Sequence, residues 1–208
     1  YEDIPVVSYM PNLAWMDDIA LDNYLDAFAD FMLPQTTILV GNYSTLCRWL
    51  LPDWSGSKQP GPRDVAKAAT EHGVVYTLVT GMNAPDQFLE NHLATPQTIL
   101  ATAKFERFES VFTGAGDTLS AALCALIATG DDLQAACAEA LTYLDQSLDA
   151  GFAPGMGHAL PDRMFWAREE GSDDELAADD TDGKGSSAPP SLGNFPPNNT
   201  SHEISLFL

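Results

Sequence analysis

Three apolar, β-branched runs set the fold class of this chain: IPVVSY at 4–9, TTILV at 36–40 and VVYTLV at 74–79. None keeps a strict apolar–polar alternation, so each predicts a strand covered on both faces. Helix-periodic segments separate them. Leu21, Leu25, Phe28 and Met32 recur at three- and four-residue steps and predict a helix over 22–32, closed by Pro34. Gly41 and Asn42 lead into a short helix through Leu46, Trp49 and Leu50, and a further helix over 63–72 stops at Gly73. Buried strands alternating with helices specify an α/β fold: a mostly parallel central sheet with helices on both faces.

The rest of the chain extends this pattern. PDWSGSKQPGP at 52–62 is a loop by composition, and Thr80-Gly81 ends the third strand. Weaker strands over 88–93 and 98–101 predict a hairpin-like excursion. Two helices follow, over 118–129, stopped by Gly130, and over 132–149, capped by Asp131 or Asp132 and stopped by Gly151. From Glu169 the composition turns acidic, then rich in Gly, Ser and Pro, with too few apolar residues to offset the entropy of ordering. The expected division is one domain over 1–168 and a disordered tail over 169–208.

Charge narrows the partners. The 208 residues carry a formal net charge of −21, which argues against nucleic acid and anionic membrane surfaces. An anionic substrate is therefore held by backbone amides, a helix end or a metal ion, not by a basic patch. The three cysteines, Cys47, Cys124 and Cys137, form no C-x-x-C pair and read as small buried hydrophobes in a reducing, cytoplasmic compartment. No run of about 18 apolar residues predicts a membrane span. The chain does not begin with Met and runs at once into strand-like residues, as a piece of a larger fold would.

FTGAGDTLSAALCAL at 112–126 carries the chemistry. Gly114, Ala115 and Gly116 let backbone N–H groups approach a ligand, and the apolar helix behind them points its positive dipole end at the loop. Together they make an anion hole that needs no lysine. Asp117 contradicts such a site unless it faces an acceptor hydroxyl and takes its proton, which is the layout of phosphoryl transfer. The competing reading makes Asp117 a helix cap behind a flexible turn.

The same segment resembles the GAGD motif of the ribokinase-like kinases, and Thr118-Leu-Ser-Ala-Ala-Leu123 resembles the hydroxymethylpyrimidine/phosphomethylpyrimidine kinases of thiamine biosynthesis. Pro5-Val-Val7 with its proline turn, Val40-Gly-Asn42, Leu78-Val-Thr-Gly81, Gly155-Met-Gly-His158 and Phe165-Trp166 extend the likeness over 4–167, the C-terminal part of such a kinase. The resemblance implies a ribokinase-like three-layer α/β/α fold, ATP with Mg²⁺, and a small pyrimidine alcohol as substrate, phosphorylated once and then again as its monophosphate. It implies Asp117 as base, Gly114, Ala115 and Gly116 as anion hole, and Asn42, Thr80 and Gly81 beside the nucleotide. A homodimer is the expected assembly.

The departures are specific. Asp117 stands where thiamine-pathway kinases usually carry Cys. Ser8-Tyr-Met-Pro replaces D-P-V-M, and Thr45 replaces the Glu of N-x-x-E, so metal ligands are not assigned. The Gly-rich substrate segment of the family is not among these residues. Met10 and Met82 follow strand ends, where open α/β sheets bind ligands, and are candidate pocket residues. Trp15, Trp49, Trp54 and Trp166 read as packing residues. Asp17-Asp18 and Asp131-Asp132 read as helix N-terminal charge, and His158 as either a turn or a ligand residue. Two readings compete with the pyrimidine kinase: a pyridoxal kinase, and a non-catalytic nucleotide- or pyrimidine-binding regulator.

Overall fold

The computed structural model describes residues 4–167. The acidic tail expected from 169 onward lies outside the described residues. One compact unit runs to Phe165. Its five strands, β1 (Val7–Met10), β2 (Ile38–Asn42), β3 (Tyr76–Asn83), β4 (Phe88–Ala94) and β5 (Ile99–Glu106), form a single sheet in sequence order. The first three pair in parallel, with Val40 opposite Tyr9 and Leu78. β4 runs antiparallel to β3, and β5 antiparallel to β4. Four of the five strands thus point the same way. The expected excursion is part of the sheet itself. Leu89 and Asn91–Ala94 are buried, and hydrogen bonding to both neighbours satisfies the β4 backbone they bury.

Five helices cover the sheet: α1 (Asp18–Ala27), α2 (Tyr43–Leu50), α3 (Pro62–Glu71), α4 (Ala115–Thr129) and α5 (Leu133–Asp149). The strands present one face to α4 and α5 and the other to the first three helices. Ile38, Val40, Leu78 and Leu93 join Leu119, Leu123, Leu141 and Leu148 in one core. Met10, Leu39 and Val79 join Phe28, Leu46 and Val65 in the second. Truncating a fully buried leucine in either core, such as Leu123 or Leu46, costs roughly 2–5 kcal/mol.

Local signals set the helix ends. The Asp17 carboxylate accepts from the Ala20 amide and starts α1 earlier than apolar periodicity indicates. Asp132 caps α5, accepting from the Gln134 and Ala135 amides. Both acidic pairs therefore include a helix cap, in keeping with the helix-charge reading. The expected 22–32 helix loosens into a π turn at Phe28–Met32 and a 3₁₀ turn at Leu33–Gln35. β1 begins at Val7, since Ile4 and Val6 are exposed. β3 does not stop at Thr80-Gly81: it continues through a bulge to Asn83, with Gly81 at φ +70°. The Gly81 amide, which the bulge takes out of register, donates to the buried Asn91 Oδ1 at 3.0 Å.

Candidate active site

α4 starts three residues earlier than its apolar periodicity predicts, and this places the GAGD motif in its first turn. Gly114 is the N-cap at φ +87°, a conformation that favours glycine. The first intrahelical backbone bond runs from Thr118 N–H to the Gly114 carbonyl at 3.0 Å. The amides of Ala115, Gly116 and Asp117 consequently lack intrahelical acceptors, and the positive end of the helix dipole lies on the motif itself. Leu119 and Leu123, both buried, fix the helix to the sheet beneath.

Asp117 is exposed and makes no capping hydrogen bond at the helix start. The cap reading lacks its bond, and the carboxylate remains available for chemistry. Its charge is felt at Tyr9, whose phenol is pushed up to about 12, first by burial and then by Asp117. Tyr9 extends from the end of β1 to Gly116, where a β-carbon would fall 2.2 Å from the phenol oxygen. A side chain at residue 116 would therefore displace the Tyr9 ring.

The segment after α5 clamps the other side of the loop. Thr113 N–H donates to the Ala159 carbonyl and Ala159 N–H to the Val111 carbonyl, both at 2.9 Å. His158 Nδ1 lies 3.1 Å from Thr113 Oγ1, so this histidine braces the residue immediately before Gly114. Further along, Arg163 donates from Nε to Thr118 Oγ1 at 2.8 Å. Its guanidinium packs so closely over Gly114 that a β-carbon there would lie 2.9 Å from Nη2. Asp117, Thr118, Tyr143 and Arg163 line one groove of about 530 Å³ between α4 and α5, floored by Ala121, Ala122 and Ala125.

The other candidate residues fall at the C-terminal ends of the parallel strands. Asn42 and Thr80 are register partners on β2 and β3. Thr80, Ala115 and Gly116 border one narrow cavity of about 30 Å³, which brings the third strand beside the GAGD turn. Asn42 has a structural task as well: its Oδ1 accepts from the Ser44 amide and caps α2. Met10 and Met82 are on the opposite face. Met10 is only 1% exposed, in the second core, and Met82 packs against it. Met10 does border a cavity of about 70 Å³, shared with Thr45 and Trp49. Trp49 packs edge-on against Phe28, as a core residue would, whereas Trp15 is 80% exposed.

A sequence profile of the family described as phosphomethylpyrimidine kinase matches residues 14–162. That span covers more than half of the chain and includes the whole GAGD turn. The chain belongs to the phosphomethylpyrimidine kinase family. No curated protein matches it in sequence. Among solved structures it is similar to Staphylococcus aureus pyridoxal kinase in complex with AMP-PCP and pyridoxal, at 16% identity and TM-score 0.65, over 79% of this chain and 59% of that one. It is similar to an ADP complex of Bacillus subtilis pyridoxal kinase, at 18% identity and TM-score 0.63, over 78% and 60%. A Bacteroides thetaiotaomicron protein assigned as a phosphomethylpyrimidine kinase aligns at 14% identity and TM-score 0.53, over 67% and 47%. The chain thus spans about half to three-fifths of each structure. These likenesses show the ribokinase-like kinase fold.

The donor set discriminates between the two groups expected at such a site. Three amides without helical acceptors, with a guanidinium beside them, fit the phosphates of ATP. Protein ligands for Mg²⁺ are not assembled among the described residues. Ser8 Oγ is 2.7 Å from Thr36 Oγ1, Thr45 carries a hydroxyl without a partner, and no three His, Cys, Asp or Glu cluster among the described residues. Tyr9 and Arg163 escape a sequence reading because each acts on residues distant in the chain. The one available signal was Arg163 itself, a rare cation in a sequence with nine Lys and Arg against thirty Asp and Glu.

Proposed function

We propose that this chain supplies the phosphate-binding and base half of an ATP-dependent kinase that phosphorylates the hydroxymethyl group of a small heteroaromatic alcohol. The observation that carries the reading is one helical turn holding both three amides without helical acceptors and a carboxylate not used as a cap. In this reading Asp117 accepts the hydroxyl proton as the alcohol oxygen attacks the terminal phosphorus. The amides of 115–117 hold the oxygens that gain charge, and the bond to the ADP oxygen breaks with its electron pair. Asn42, Thr80 and Gly81 stand beside the nucleotide.

The family match and the TLSAAL run support the hydroxymethylpyrimidine of thiamine synthesis, then its monophosphate, as substrates. The pyridoxal kinase structures support pyridoxal as the alternative. Magnesium arriving with the nucleotide, a homodimer and a cytoplasmic setting belong to the same proposal, as does the domain boundary near 168. The test is direct. The full-length protein is incubated with ATP and each alcohol, and products are resolved by mass spectrometry. Phosphorylated pyrimidine in excess of pyridoxal phosphate is expected. Nucleotide binding with no phosphorylated alcohol would favour the regulator reading, which the hydroxyls at Ser8 and Thr45 also suit.

A further inference from the structure

We propose that Arg163 is the cation that meets the transferring phosphate, completing a site otherwise built from backbone. This rests on the kinase reading and adds a residue to it. Its guanidinium is anchored by one edge only. Nε donates to Thr118 Oγ1, and that hydroxyl donates in turn to the Gly114 carbonyl at 2.7 Å, which uses its only proton. The Nη groups remain free to donate, and Nη2 lies against Gly114 at the mouth of the amide turn.

The platform beneath Arg163 is fixed from three sides. Its carbonyl accepts from the Tyr143 hydroxyl at 3.0 Å. The Asp162 amide donates to the Ser147 carbonyl at 2.8 Å, and the Asp162 carboxylate accepts from the Met164 amide. No carboxylate lies within ion-pair distance of Arg163 among the described residues, although Asp117 and Glu139 line the same groove. In a chain of net charge −21, a guanidinium held beside three such amides, with no ion-pair carboxylate among the described residues, has an anion as its natural partner. Arg163 takes no proton in the reaction. It stabilises the phosphoryl oxygens while Asp117 receives the hydroxyl proton and ADP leaves with the bonding pair.

The experiment measures binding of ATP, adenosine and inorganic tripolyphosphate to the full-length protein and to R163Q, with turnover alongside. R163Q is expected to weaken tripolyphosphate and ATP by on the order of tenfold to a hundredfold. Adenosine affinity is expected to stay unchanged, and kcat to fall on the order of a hundredfold or more. Selective loss of tripolyphosphate affinity supports the site even if the wild type phosphorylates no alcohol, an outcome that would sink the kinase reading alone. Equal tripolyphosphate affinity in a folded R163Q overturns the proposal. Should R163Q fail to fold, R163M keeps the length of the side chain without the charge: weaker tripolyphosphate binding supports the proposal, and wild-type affinity overturns it.

Discussion

Tyr9 fills the space that a side chain on Gly116 would need: a β-carbon there would lie 2.2 Å from both Cζ and the phenol oxygen. The end of the first strand thereby meets the GAGD turn at the start of α4. Gly116→Ala is expected to destabilise the protein by about 1–3 kcal/mol, the usual cost of overpacking. Adding Tyr9→Leu to that variant should recover part of the loss. Chemical denaturation of the single and double variants measures it, and additive losses would show that the two residues are not in contact.

Asn42 separates a structural role from a ligand role. Asn42→Ala removes the α2 cap and is expected to cost about 1 kcal/mol. Asn42→Asp retains the cap acceptor for the Ser44 amide, so its stability should stay near wild type. If Asn42 borders the nucleotide, the added charge weakens ATP binding in Asn42→Asp. Wild-type ATP affinity in a stable Asn42→Asp would confine the residue to capping.

Stability should fall on the alkaline side in a way that depends on Tyr9. Its phenol is raised from 10.0 to about 12, by burial and then by Asp117. The folded state therefore holds this proton more tightly than the unfolded state. The stability it confers is complete below pH 10 and is lost as pH rises towards 12. Tyr43, raised over the same range, keeps its share in any Tyr9 variant. Denaturation midpoints at pH 9 and pH 11 should drop further in wild type than in Tyr9→Phe.

On the acid side, burial lowers His92 against the opposing pull of Glu90, 3.3 Å away. A folded-state pKa below the ordinary 6.5 makes its contribution present above that value and lost as pH falls below it. His92→Gln should flatten the stability profile between pH 7 and pH 5. An unchanged profile would show that Glu90 compensates the burial in full.

The parallel strands were legible because burial on both faces leaves a run of apolar residues with no alternation, as at 36–40 and 74–79. The acid at a helix start was legible for the same local reason, since GAGD and the apolar helix adjoin. Strand direction in β4 and β5 was not, because Phe88–Ala94 reads alike in a detached hairpin and in a sheet. Nor was the early start of α4, which glycine in the left-handed region permits and periodicity cannot register. The contacts of Tyr9 with Gly116 and of Arg163 with Thr118 join residues 107 and 45 positions apart. No pattern within one segment encodes them.

The central claim is that Asp117 is the base of a phosphoryl transfer, and Asp117→Asn in the full-length protein tests it most directly. The carboxylate makes no capping hydrogen bond, so the thermal midpoint should hold, and ATP affinity should hold or rise as a negative charge leaves the turn. Measured by single-turnover kinetics with ATP and hydroxymethylpyrimidine, the rate is expected to fall on the order of 10²- to 10⁴-fold. A rate within a few-fold of wild type at saturating substrates would contradict the assignment and move the base elsewhere.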